Sequence, residues 1–315
     1  MRVLVTGANG FTGGWLIRSL LQGGHEVIGA AGPIAGQRLL TPAERDQVTW
    51  VVLDVDDPGS VRACAAVAVD AVVHLAAVSS VAHSLAEPVA TWRVNTVGTM
   101  SLLETLAVQR RNGISDPLVL VVSTGEVYGP GSSEPRRETE PVRPVSPYAA
   151  SKAAAELGGL EIWHRTGLRV VVARPFPHTG PGQTARFVVP AFLERIRIAR
   201  RAGAPVVKTG NLEPVRDLLD VRDVTAGYLA LLERGAPGEI YNVATGRGLS
   251  LEEVFFRVAE RVGHHAIPEL DPALARAVDI PHLVGDPEKL HAATGWSPHY
   301  TLDQTLQLML DAEAY

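Results

Sequence analysis

A single cysteine, Cys64, stands in 315 residues. It excludes an internal disulfide framework, fits a reducing compartment and is expected to be a small buried hydrophobe. Basic character is also scarce. The net charge is −5 and the pI about 6.1, with no basic arm, so no nucleic-acid partner is expected. The run Arg195, Arg197, Arg200, Arg201 reads as a solvated helix face. No apolar run reaches membrane-spanning length, and Met1–Val5 is too short before the first glycines to be a signal peptide. A cytoplasmic location with no membrane partner is the expectation. His264, His265, His282 and His299 lack carboxylate or cysteine partners at ligand spacing, so no metal site is expected. Repeats, low-complexity tracts and long linkers are missing as well.

What is present is a 46% hydrophobic chain, enough for one large α/β domain with a smaller lobe. Short apolar runs alternate with helical ones. Strands are expected at Val3–Val5, Glu26–Gly29, Val48–Leu53, Ala71–Leu75, Leu118–Val122 and Leu168–Ala173. Helices are expected between them at Thr12–Gln22, Val89–Gln109 and Tyr148–Arg165. The alternation predicts an α/β fold, a doubly wound parallel sheet of the Rossmann type. From about residue 174 Pro and Gly become dense, and helices follow at Phe187–Arg201, Asp220–Leu232, Leu251–Val262 and Asp303–Ala314. The expected division is a dinucleotide domain of 1–173 plus about 217–246. A smaller, interleaved C-terminal substrate lobe would take about 174–216 and 247–315.

The loop Thr6-Gly7-Ala8-Asn9-Gly10-Phe11-Thr12-Gly13 follows the first strand and opens the first helix. Gly7, Gly10 and Gly13 let the backbone turn and approach a pyrophosphate at the helix N-terminus. The spacing is GxxGxxG rather than GxGxxG. Asp54-Val55, after the third strand, suits an adenine contact; a cap or turn is the alternative for Asp54. The end of the second strand, Gly29 to Pro33, has no acid of the kind that selects NAD. A 2′-phosphate would not be repelled there, and Arg38 is the nearest arginine. NADP(H) is therefore the expected cofactor, with NAD as the alternative.

Ser146-Pro147-Tyr148-Ala149-Ala150-Ser151-Lys152 contains YxxxK at a helix start. Ser146 is a cap, Pro147 suits the first helical position, and Tyr148 and Lys152 share a face one turn apart. A phenol normally titrates near 10. A nearby ammonium and an oxidised nicotinamide would lower that value and ready it for proton transfer. Thr124, just past the fifth strand, would hold the substrate oxygen beside Tyr148.

With these motifs the chain resembles the extended short-chain dehydrogenase/reductases of the nucleotide-sugar group. The likeness runs from Met1 to about Leu310 through GANGFTG, HLAAVSSV, NTVGT, STGEVYG, SPYAASK and PFPHTGPGQ. GNLEPVRDLLDVRDV (Gly210–Val224) and IPHLVGDPEKLHAATGW (Ile280–Trp296) are most similar to the GDP-6-deoxy-4-keto-mannose reductases, with GDP-mannose 4,6-dehydratases next. The resemblance implies a GDP-linked 4-keto-6-deoxy sugar as substrate and a homodimer. It implies that Leu75, Ala76, Ala77, Asn95, Pro175 and His178 contact or support the cofactor, with Ser79 and Asn211 on the substrate side. Arg216 and Arg276 match arginines of those reductases, and a guanidinium fork suits a diphosphate; pairing with Asp217 or Asp279 is the alternative. One departure stands out: Pro177 follows Phe176 where the group has asparagine.

Glu126 leaves the reaction open. In a dehydratase it would be the base that removes the C5 proton; in a reductase it would bond sugar hydroxyls. The dTDP-glucose dehydratases pair it with an acid at the preceding position, and here that residue is Gly125. Reductase is the reading adopted. A 4,6-dehydratase, a 4-epimerase and a non-catalytic NADP-sensing Rossmann protein are the alternatives; the last commonly loses Tyr or Lys.

Overall fold

The computed structural model describes residues 1–32, 39–274 and 279–312. Seven parallel strands form the central sheet: β1 (Arg2–Thr6), β2 (Glu26–Ala31), β3 (Val48–Val52), β4 (Ala71–His74), β5 (Leu118–Val122), β6 (Val170–Pro175) and β7 (Ile240–Val243). Their order is β7-β6-β5-β4-β1-β2-β3. The chain reverses direction of travel across the sheet between β1 and β4, the switch point where open α/β sheets bind ligands. Six strands lie where the apolar runs placed them. The seventh, β7, was not read from the sequence; it pairs Tyr241 with Ala173 at the sheet edge.

Both sheet faces are buried, which is why the strands read as continuous apolar runs rather than alternating ones. Side chains still divide between the faces. Val3, Val5, Leu120 and Val122 join α1 (Phe11–Gln22) in one core, and Leu4, Val119 and Val121 join α2 (Thr99–Arg111) and α3 (Pro147–Thr166) in the other. Burial of each such side chain contributes about 1.5–3 kcal/mol. Cys64 lies in the second core, and burial raises its thiol to about 11. It is the inert hydrophobe expected.

The single helix expected over Val89–Gln109 is three pieces: Pro88–Trp92, a π-helical turn over Arg93–Gly98, and α2. The wider turn brings Asn95 inward, where its side chain bonds both backbone groups of Val78, at 2.8 and 3.1 Å. Single π-turns of this kind are frequent at functional sites.

α4 (Val188–Ala202), α6 (Leu251–Val262) and α7 (Leu302–Ala312) pack around a third core containing Phe192, Phe255 and Leu306. α5 (Val221–Arg234) returns to the main sheet against α1. Three carboxylates tie these parts together. Asp217 is fully buried and accepts from the Thr245 N–H and hydroxyl and from the N–H groups of Gly246 and Gly285. Asp220 caps α5 and bonds Thr305 of α7 at 2.7 Å. Asp223 accepts from the backbone of His299 and Tyr300, both at 3.0 Å. Much of the distinctive Gly210–Val224 segment is thus chain-crossing structure.

Candidate active site

The glycine loop sits at the C-terminal end of β1, and its glycines are required. Gly7 has φ +67°, and a Cβ there would lie 2.8 Å from the Ala76 backbone nitrogen. At Gly13 a Cβ would come within 2.4 Å of the Gly7 carbonyl. Gly10, the residue before α1, has no side chain of its own to cap the helix. The glycine cradle at the helix start fits a dinucleotide pyrophosphate. Phe11 and Thr12 are braced from outside. His178 must donate from Nδ1 to the Phe176 carbonyl (3.1 Å), so its Nε2 accepts from the Thr12 hydroxyl (3.0 Å). The rings of His178 and Phe11 lie nearly parallel at 6.2 Å. Burial keeps the His178 pKa low, the neutral form this arrangement needs. Pro175 ends β6 just before this brace.

Asp54 is exposed and also turns the chain, its oxygen accepting from the Asp56 N–H at 3.0 Å. Val55 is buried against Gly98, where a Cβ would lie 3.0 Å away. Leu75 and Ala76 donate their N–H groups to the Thr6 hydroxyl, both at 3.1 Å, and Ala77 and the exposed Ser79 follow in the irregular segment past β4. Arg38 lies outside the described residues.

α3 begins as its sequence requires: Ser146 accepts from the Ala149 N–H at 3.1 Å, and Pro147 occupies the first turn. Tyr148 is half-buried at the cleft, its phenol near the Thr124 hydroxyl. Burial and the Glu126 carboxylate push that phenol well above its usual value; the Thr124 hydroxyl pulls the other way. Lys152, expected with an oxidised nicotinamide to lower that value, is not among the groups that shift it in the protein alone. In the protein alone, Tyr148 is strongly held in its neutral form. Lys152 is 4% exposed, and burial lowers it to about 8, opposed by Glu156.

A buried relay that the sequence did not reveal connects loop to helix. The Thr6 oxygen already accepts two N–H groups, so its proton goes to His74 Nδ1 (2.8 Å). His74 Nε2 then donates to Thr99 (2.9 Å), and Thr99 donates to the Asn95 carbonyl (2.6 Å). The Asn95 amide bonds Ser151 (3.0 Å), which bonds the Tyr148 carbonyl (2.8 Å). Each residue except Tyr148 in this series is buried. His74 could have been singled out as a polar group ending an apolar strand.

On the substrate side, Glu126, Ser146, Arg216 and Asp279 line one small cleft with Val81, Val145, Ile280 and Leu283. Arg216 is ion-paired with Asp279, not Asp217, and donates to the carbonyls of Val215 (2.8 Å) and Ile280 (2.7 Å). Asn211 is exposed, its side-chain oxygen accepting from the Glu213 N–H at 3.0 Å. Arg276 lies outside the described residues. Gly125 has a packing reason: a Cβ there would meet the Phe176 ring at 3.1 Å, and that ring is hemmed in by Tyr128 and Gly285. Pro177 keeps its carbonyl on the Leu219 N–H (2.9 Å), so the segment is placed without the usual asparagine. Among the described residues no group of His, Cys, Asp and Glu is arranged to hold a metal, and no helix is long and apolar enough to cross a membrane.

Comparison with known proteins agrees with this geometry. The family model described as GDP-mannose 4,6 dehydratase matches residues 4–309. GDP-6-deoxy-D-mannose reductase of Pseudomonas aeruginosa is 36% identical over 76% of this chain and 79% of its own length. Among solved structures, RMD from Pseudomonas aeruginosa complexed with NADPH superposes with a TM-score of 0.82 at 31% identity, covering 99% of both chains. UDP-glucose 4-epimerase of Thermus thermophilus, in complex with NAD, gives 0.85 at 34% identity, covering 99% and 98%. The chain therefore belongs to the GDP-mannose 4,6-dehydratase family of extended short-chain dehydrogenase/reductases, NAD(P)-dependent enzymes of nucleotide-sugar chemistry.

Proposed function

We propose that this enzyme is an NADP(H)-dependent reductase of the C4 ketone of a GDP-linked 4-keto-6-deoxy sugar. The observation that carries the reading is the pairing of Tyr148 with Glu126 beside Gly125. A reductase needs a phenol that holds its proton until the ketone accepts it. Burial and the Glu126 charge both favour that form. A dehydratase of the paired-acid kind needs a second carboxyl at position 125, where Phe176 restricts the space for a side chain. The similar reductase from Pseudomonas aeruginosa supports the same choice.

When bound, the reduced dinucleotide supplies the hydride that the ketone carbon accepts. Thr124 orients the ketone oxygen, and Tyr148 gives it a proton. Lys152, whose ammonium has no acceptor among the described residues, is placed to bond the cofactor's ribose and to offset the charge left on the phenol. The open, acid-free end of β2 favours NADP(H), with NAD the alternative. The segments 174–216 and 247–315 form the sugar-nucleotide lobe in this reading. Incubation with GDP-mannose and NADP⁺ should give no loss of water by mass, whereas a supplied GDP-4-keto-6-deoxy sugar should oxidise NADPH. A dehydrated product from GDP-mannose would overturn the assignment and make Glu126 the base.

Arg216 is assigned to the substrate diphosphate as well as to Asp279. Arg216→Lys keeps the charge and loses the fork, so the sugar-nucleotide KM should rise about tenfold, with the NADPH KM unchanged. Tm should fall by a few degrees as the Val215 and Ile280 carbonyls lose their donors. An unaltered sugar-nucleotide KM removes Arg216 from the substrate site.

A homodimer is proposed on the exposed faces of α3 and the helical stretch before α2. Val89 and Leu157 are 72% and 70% exposed there, beside Val97 and Trp92. Light scattering should give twice the 33.6 kDa chain mass; a monomer at micromolar concentration refutes it.

A further inference from the structure

Behind Lys152 lies a second buried charge. Glu156 follows one turn later on α3 and is 2% exposed. Both of its carboxylate oxygens engage Arg174 of β6, Nε to Oε1 at 3.0 Å and Nη2 to Oε2 at 2.7 Å. Arg174 is equally buried, its guanidinium lying 4.8 Å over the Tyr128 ring, and its Nη1 has no hydrogen-bond partner among the described residues. Lys152, Glu156 and Arg174 are thus three charges in succession, all out of water.

An ion pair this deep is a weak source of stability, because desolvating both ions costs about as much as their attraction returns. Its position gives it another use. The groups around Lys152 can be taken element by element. From β4 comes His74, held neutral by its two hydrogen bonds. α3 supplies Tyr148 and Glu156. Glu126, past β5, acts on Tyr148. β6 supplies Arg174, backed by Tyr128, whose phenol burial raises to about 12 and which bonds Asn242. Of these, Glu156 is the anion at i+4 from Lys152, the spacing that brings helix side chains together.

We propose that Glu156 is a positioning residue for the reaction: gripped through both oxygens by Arg174 and one helical turn from the buried Lys152, its carboxylate holds Lys152 in the ammonium form. The proposal rests on the assignment of Tyr148 and Lys152 to proton transfer. Burial draws the ammonium down to about 8, and the Glu156 charge is what opposes it. Arg174 has two opposing effects. It fixes the carboxylate and keeps it ionised, and its own positive charge weakens the pull on Lys152.

The chain has three lysines, Lys152, Lys208 and Lys289. The other two are surface residues paired with Glu269 and Glu239. ¹³C-lysine NMR titration of the free protein therefore isolates Lys152, with no substrate or cofactor needed. Glu156→Gln should lower its midpoint by about one pH unit or more. Arg174→Met should raise it, and the double variant should fall between Glu156→Gln and wild type. Opposite shifts from the two halves of one ion pair are not produced by a loss of stability. The alkaline limb of NADPH oxidation should follow the same order. If only the double variant folds, a midpoint below wild type supports the proposal. A midpoint unmoved by loss of Glu156, with only Tm reduced, makes the pair structural and overturns it. Midpoints that shift while the alkaline limb stays fixed also overturn the role in reaction. Because the titration is read without turnover, a wrong substrate assignment leaves it interpretable.

Discussion

Tyr148→Phe should lower turnover by roughly two to four powers of ten, the usual size of an acid–base contribution. The substitution keeps the ring and removes the phenol that meets Thr124 and faces Glu126. The α3 cap at Ser146 uses the Ala149 N–H and the relay through Ser151 uses the Tyr148 carbonyl, neither of them the phenol, so the helix start should survive. NADPH affinity, measured by fluorescence, should barely change. Because Glu126 holds the phenol in its neutral form, Glu126→Gln should ease its ionisation. Near wild-type turnover in Tyr148→Phe would take the phenol out of the mechanism.

That the catalytic set was readable follows from how local its signals are. Ser146, Pro147, Tyr148 and Lys152 are consecutive turns of one helix, and its cap chemistry is written beside its active groups. The glycine loop is equally local: one strand, one turn, one helix start. Six strands were legible because a sheet buried on both faces demands uninterrupted apolar runs. β7 was missed because Tyr241 and Asn242 interrupt its run; Asn242 faces inward to bond Tyr128 at 2.7 Å.

The unread parts are those made by residues far apart in sequence. Gly125 looked like a missing acid, yet it makes room for Phe176, fifty-one residues on. Glu156 sits in an Ala-rich helix with no local signal that Arg174, eighteen residues on, lies across from it. The aspartates of Arg216–Val224 looked like a substrate signature or an arginine's partners. Asp217 instead gathers Thr245, Gly246 and Gly285, while Asp279, one of the two acids named as an alternative partner, takes Arg216. No periodicity reports such pairings, because they depend on tertiary closure.

His74 predicts how the protein responds to acid. It is fully buried, and burial together with the Lys152 charge lowers its pKa from 6.5 to about 3. The geometry requires the same thing independently. Nδ1 accepts the Thr6 proton, and the Thr6 oxygen already takes the N–H groups of Leu75 and Ala76. Protonating Nδ1 would set two donors against each other beneath the glycine loop. For a group whose folded pKa is depressed, the stabilising contribution is complete above the unfolded value of 6.5. It is then lost as pH falls toward 3. Urea unfolding between pH 7.5 and 4 should therefore show stability falling by up to about 1.4 kcal/mol per pH unit from this group, roughly 3–5 kcal/mol if followed to its end. His74→Asn keeps an acceptor toward Thr6, cannot take a proton, and leaves Thr99 short of a donor. It should be less stable than wild type at pH 7.5 by about 1–3 kcal/mol. The gap should narrow steadily below pH 6.5. A gap that stays constant from pH 7.5 to 4 would mean that His74 does not titrate between the folded and unfolded states, and the directional relay from Thr6 to Asn95 would have to be abandoned.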